Sequence, residues 1–265
     1  SNEYGQNWKA SLVSNGTPGV TNSVDACDIA PMILDVTHFP AIPASTDAVT
    51  VTARVIDELT SGITVTLHYR VDGSIYTPGD YPHFVPGEYN DVPMYDDGLH
   101  GDGEADDSIY GAEIPAQSDD TIIEFFVEAS DTGANSRTWP APSTIDSVPE
   151  QVTNLLYQVD DSFDPNWSPE MQPIYYIILT EAERGRLEDF GDDCDLVPGG
   201  GGYEYCRTDA QVNATFINVD GSDFEMRYNV GVRIRGASSR ESPPNNYRVN
   251  FVHSDPWEDI TAINL

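Results

Sequence analysis

The chain has 265 residues, enough for two domains, and its 39% apolar and 10% aromatic content supports packed cores and excludes global disorder. Its 45 Asp and Glu against 12 Lys and Arg give a formal charge of -33, which excludes nucleic acid and anionic lipid as partners of the surface as a whole. No run of apolar residues is long enough to read as a membrane-spanning helix.

Residues 1–30 contain NWKASLVSNGTPGVTNS, which reads as one short apolar strand followed by turns at Asn15-Gly16 and Pro18-Gly19. The stretch resembles the closing strand of a lamin-tail-like β-sandwich. That resemblance implies the end of a preceding domain plus a linker. Cys27 lies in this linker without an evident partner.

Residues 31–158 read as one β-sandwich. The predicted strands are Met32–Thr37, Val49–Ile56, Ile63–Val71, Tyr89–Tyr95, Ile109–Ile114 and Ile122–Ser130. Val49, Val51, Ala53 and Val55 alternate with Thr50, Thr52 and Arg54, and Ile63, Val65, Leu67 and Tyr69 alternate with Thr64, Thr66 and His68. This period of two means one buried face per strand. Short strands with turn-rich joints point to an immunoglobulin or fibronectin type III sandwich, and the lack of a Cys…Trp…Cys pattern favours the fibronectin-like form. A Pro-rich exit at Trp139-Pro140-Ala141-Pro142 precedes a last strand, Asn154–Val159. Tyr81, His83, Phe84 and Trp139 either line a glycan-binding surface or pack the core and turns.

Between Tyr95 and Tyr110 the chain reads YDDGLHGDGEADDSIY. Asp96, Asp97, Asp102, Glu104, Asp106 and Asp107 crowd this loop, and Gly98, Gly101 and Gly103 permit tight turns. Closely spaced carboxylates on a Gly-bent loop suit a hard cation, so a Ca²⁺ site is expected here. The other reading is a solvated acidic turn whose Asp side chains cap their own backbone. The order of acids is not that of an EF-hand. It resembles an acidic turn of bacterial surface sandwich domains. His100 reads as a surface histidine.

Residues 159–173 form a polar, Pro-punctuated linker, and the domain boundary is placed there. Strand Ile174–Leu179 follows. Thr180-Glu181-Ala182-Glu183 has capping-box spacing and should open a short helix running to about Phe190 and ending at Gly191. Cys194 and Cys206 flank DLVPGGGGYEY, either as a disulfide in a secreted protein or as two reduced thiols. Strands Gln211–Val219, Glu225–Arg235 and Asn246–Phe251 complete a mixed α+β unit over 174–265. The expected class is therefore mainly β, a sandwich followed by a partial α+β domain.

The segment GVRIRGASSRESPPNNYRVNF, residues 231–251, places four of the few basic residues in one hairpin-like element: Arg233, Arg235, Arg240 and Arg248. Arg233 and Arg235 alternate with Val232 and Ile234, giving a charged and an apolar face. With YYIILTEAE at 175–183 and the terminal TAINL, this segment resembles the start of the CotH (spore-coat protein H) family of atypical kinases. Arg233, Arg235, Gly236, Ser238, Ser239 and Arg240 match a family strand ending in R-x-R-G-x-S-[ST]-R. Pro243, Pro244, Asn245, Asn246, Tyr247 and Arg248 depart from P-K-K-x-Y-[RK], with asparagines where the family has lysines. The resemblance implies ATP-dependent protein phosphorylation with Mg²⁺ in the complete parent. It also implies that Arg233, Arg235, Arg240 and Arg248 meet nucleotide phosphates or hold structure. The family's catalytic and Mg²⁺-binding aspartates are expected downstream of Leu265, so no catalytic residue is assigned and the fragment is expected to be inactive. The arginines' other fate is pairing with the chain's own carboxylates. The rival function is a non-enzymatic, Ca²⁺-stabilised adhesion or scaffold module. Asp-rich turns, β-rich patterning and the resemblance together place the protein outside a bacterial cell or on its surface. Its protein substrate or surface partner is left open.

Overall fold

Alternation of small or β-branched apolar residues with threonine decides the first sheet. β2 (Val49–Ile56) buries Val49, Val51, Ala53 and Val55 and turns Thr50, Thr52 and Arg54 outward. It pairs antiparallel with β1 (Met32–Phe39) and β5 (Ile109–Ile114), giving the order β1-β2-β5. This arrangement comes from a computed structural model. It describes residues 10–25, 28–59, 61–75, 88–145, 148–164, 172–192, 209–220, 223–236 and 245–265.

A second antiparallel sheet contains, in order, β10 (Leu155–Gln158), β6 (Ile122–Ser130), β3 (Thr64–Val71) and β4 (Asn90–Met94). β7 (Ser136–Trp139) and β10 share one edge of β6: β10 pairs with residues 122–125 and β7 with 127–130. The two sheets close over Ile33, Leu67, Ile114, Phe125, Leu155 and Tyr157, all fully buried. β8 (Ser143–Ile145) and β9 (Val148–Glu150) pair separately. The chain is mostly β, as its patterning requires, and this part is an Ig-like sandwich.

The third sheet is an antiparallel meander in chain order: β11 (Ile174–Ile178), β12 (Val212–Asp220), β13 (Asp223–Arg235), β14 (Asn246–Asn250) and β15 (Ala262–Asn264). Helix α1 (Glu181–Asp192) lies between β11 and β12 in sequence. One sheet face builds a core from Val212, Phe216, Val232, Val249, Phe251 and Trp257, to which α1 adds Leu187. The other face carries Ile178, Ile217 and Val219, which pack on Ala41, Ile42 and Leu156 of the sandwich. A β-bulge opposite residue 215 puts Asn229 at φ 52°. The extra residue lets Tyr228 reach the sandwich core while Val230 returns to the third sheet's own core.

The expected bounds of β2, β5 and β6 match those found. Elsewhere there are differences. Residues 10–25 form turns and no strand, with Leu12 and Val13 exposed, because no strand among the described residues completes their hydrogen bonds; the start of the expected strand lies outside the described residues. Helix α1 continues one residue past Gly191. β7, β8, β9 and β15 are additions to the expected set, and all are four residues or shorter.

Candidate functional site

Strand register creates the arginine face. Arg233 lies directly opposite Arg248, Arg235 opposite Asn246 and Gly231 opposite Asn250, so these residues share one side of β13 and β14. On β15, Asn264 lies opposite Arg248 and extends the same side. Val232, Ile234 and Val249 point the other way into the core, as the alternation predicts. The arginines therefore occupy the same sheet face as Ile217 and Tyr228. That face is apolar where it meets the sandwich and polar beyond it.

Each guanidinium has a different environment. Arg233 Nη1 donates to Asp209 Oδ1 at 2.7 Å, an ion pair whose carboxylate is largely exposed. Arg248 Nε donates to Asn250 Oδ1 at 3.0 Å and Nη1 to Asn264 Oδ1 at 3.3 Å, so amide oxygens and no described carboxylate receive it. Arg235 is exposed and has no side-chain partner among the described residues. Like charges directly opposite across two strands are destabilising, by roughly 0.2–1 kcal/mol. Two guanidinium forks in this register can hold an oxyanion between them, which offsets that repulsion. Gly231 matters locally, since a Cβ there would lie 1.9 Å from the Gln211 Oε1 that rests over the strand. Arg240, Ser238, Ser239 and the 237–244 loop lie outside the described residues. So do Cys27, Cys194, Cys206, Tyr81, His83 and Phe84.

The acidic loop is organised by its own backbone. Asp102 is 2% exposed and accepts N–H bonds from Asp97 (2.7 Å), Gly98 (2.8 Å) and His100 (3.0 Å). Burial opposes its ionisation, but these N–H groups outweigh burial and hold its carboxyl below the usual range. Asp96 accepts from the N–H groups of Asp107 and Ser108, and Asp107 from those of Glu104 and Ile109. Asp97 Oδ1 receives Leu99 N–H and the His100 ring. Glu104 and Asp106 have no side-chain hydrogen bond among the described residues. No three His, Cys, Asp or Glu side chains gather as a metal-holding group among the described residues. A cavity of about 770 Å³ opens beside the loop, lined by Val55, Ile63, Met94, Tyr95, Asp96 and Tyr110 among others. Trp139 sits on edge strand β7 and is about one-third exposed.

Sequence reading missed the polar groups buried against the sandwich's second sheet. Arg70 and Glu124 are both nearly inaccessible and form a two-pronged pair, Nε–Oε1 and Nη2–Oε2 each 3.2 Å. Asn154 Nδ2 donates to Glu124 Oε2 at 2.7 Å, and the Tyr89 ring lies 4.4 Å from the Arg70 guanidinium. By alternation Arg70 belongs to the outward set with His68. Nothing local signals that this outer face is covered.

Residues 47–123 match the family described as the conditioned medium factor second Ig-like domain. The matched stretch begins two residues before β2 and ends in β6, within the sandwich. No curated protein matches the chain.

Proposed function

We propose that this chain is the N-terminal part of a CotH-like atypical protein kinase carried behind an Ig-like sandwich and acting outside the bacterial cell. In the complete parent, phosphate passes from ATP to protein. The observation that carries this reading is the placement of Arg233 opposite Arg248, with Arg235 beside them, on one face of the sheet. In a chain of net charge -33, two half-buried guanidiniums held opposite one another, of which only Arg233 meets a described carboxylate, Asp209, favour an added anion between them. Arg233, Arg235 and Arg248 would meet the nucleotide phosphates. No residue described here takes the part of the family's catalytic or Mg²⁺-binding aspartates. The reading therefore assigns this chain phosphate contact and not turnover.

Calorimetric titration with ATP and Mg²⁺ at low salt tests it. Saturable binding is expected, weakened tenfold or more by Arg233→Gln with Arg248→Gln and unchanged by Arg54→Gln, whose partner is Asp35 on the sandwich. Absence of saturable binding, or equal binding by all variants, would overturn the nucleotide reading.

The second reading is a non-enzymatic extracellular adhesion or scaffold module. It is favoured by the close packing of the third sheet on the sandwich through Ile217, Val219 and Leu156. Calcium would act there through Glu104 and Asp106, the two loop carboxylates not already used by backbone N–H groups. A calcium arm of the same titration, repeated with Asp106→Asn, addresses it.

A further inference from the structure

The third sheet and the sandwich meet through hydrogen bonds made by side chains as well as apolar contact. Thr215 Oγ1 on β12 receives the N–H of Leu156 on edge strand β10 at 3.2 Å. Asn213 Nδ2 donates to the Asn154 carbonyl at 3.1 Å. Tyr228 on β13 hydrogen-bonds to the His38 ring on β1. The most consequential contacts lie at the start of α1. An α-helix leaves its first four N–H groups without internal partners. Here the N–H of Glu181 goes to Asp72 Oδ2 at 2.8 Å and that of Ala182 to Ser74 Oγ at 2.9 Å. Glu183 N–H goes to Thr180 Oγ1 at 3.2 Å. Only the last acceptor belongs to the helix's own segment.

The acceptors from the sandwich are built in advance. Asp72 Oδ1 receives the N–H of Ser74 at 2.9 Å, and the Asp72 N–H is tied to the Ile122 carbonyl at 2.8 Å. Both ends of the carboxylate are thus committed, one to its own loop and one to α1. A 12-residue helix is marginal in water by itself. Its Leu187 joins the core that contains Val212, Val230 and Val232. A frayed α1 would therefore expose the side of β12 and β13 opposite the arginines.

We infer that the sandwich and the third sheet fold as one cooperative unit, coupled through α1, whose first turn is completed by Asp72 and Ser74 of the sandwich. The sandwich is then a template that fixes where the arginine-bearing half of the third sheet stands, and not a spacer. The coupling through α1 does not depend on what the arginines bind.

The test uses the full chain and follows urea unfolding by regional hydrogen exchange at β3, α1 and β12. One shared midpoint is expected, matched by a single calorimetric transition whose calorimetric and van't Hoff enthalpies agree. Leu67→Ala lies in the sandwich core. It should lower the melting temperature on the order of 10 °C and move the β12 midpoint as far as the β3 midpoint. Asp72→Ala with Ser74→Ala should reduce exchange protection in α1 at least tenfold while β3 stays protected. If that variant does not fold, Asp72→Asn, which keeps one acceptor oxygen, should show a smaller loss confined first to α1. Separate midpoints in the wild type, or a Leu67→Ala shift felt at β3 alone, would overturn the cooperative unit. Unchanged α1 protection in the capping variants would overturn the role of Asp72 and Ser74.

Discussion

His38 is the next-to-last residue of β1 and is fully enclosed. Its Nε2 faces the Ala41 carbonyl at 3.1 Å and its Nδ1 the Tyr228 hydroxyl, with Phe125 and Tyr157 against the ring. The neutral tautomer with a proton on Nε2 satisfies both contacts, since Tyr228 O–H can then donate to Nδ1. Burial lowers the imidazole pKa from 6.5 to about 4, against the smaller opposing effect of the Ala41 carbonyl. The unfolded chain takes up a proton below about pH 6.5, whereas the folded chain resists it down to about 4. Stability from this residue is therefore complete above pH 6.5, declines as pH falls, and is lost by pH 4. The shift corresponds to about 3 kcal/mol. Urea unfolding of wild type and His38→Gln at pH 7 and pH 4 should show the gap between them shrinking by up to that amount. A gap that stays constant would mean the ring is not held neutral. The residue was invisible to pattern reading because its partner lies 190 positions away and the predicted strand stopped at Thr37.

At the scale of elements, legibility follows how local the cause is. β2 was readable to the residue because each Val or Ala and each Thr reports its own side of the pleat. β7, with sequence SRTW, has no such pattern and exists because β10 leaves half of one β6 edge open. The charged and apolar sides of β13 were legible from Val232, Arg233, Ile234 and Arg235. The opposition of Arg233 and Arg248 was not, because register is set by pairing across residues 236–245. Arg70 continues the outward set of Thr64, Thr66 and His68, but its burial depends on Glu124, Asn154 and Tyr89 arriving from elsewhere. β5 gives the element-scale prediction. Gly111 exchanges both backbone bonds with Tyr95, and a Cβ on it would stand 2.3 Å from the His100 carbonyl oxygen. That neighbour is backbone and cannot rotate away, and the adjoining turn is tied down by buried Asp102. Gly111→Ala should cost about 1–3 kcal/mol, read as a lower urea midpoint with unchanged slope. A neutral substitution would show that the 95–110 loop is looser than its hydrogen bonds imply.

For the whole molecule, the net charge of -33 sets two opposing electrostatic effects. Repulsion among carboxylates is spread over the entire surface and disfavours the compact chain. Against it stand exposed ion pairs such as Arg54 with Asp35 and Arg184 with Glu181, each worth about 0–1 kcal/mol. Added salt weakens both, but not equally. The Debye length falls from about 30 Å at 0.01 M to about 8 Å at 0.15 M. Repulsion acting across tens of ångströms is largely removed, whereas contacts near 2.7 Å keep much of their strength. With 45 acidic residues facing 12 basic ones, the repulsive term is the larger. Raising NaCl from 0.01 to 0.15 M should therefore raise the melting temperature by several degrees, and KCl should act alike because screening is not ion-specific. A fall in melting temperature would mean that the close ion pairs outweigh the diffuse repulsion. The arginine face should respond oppositely, because screening weakens its attraction for any phosphate. Salt would thus stabilise the fold while loosening the anion contact proposed for that face, and the two effects separate in one set of buffers.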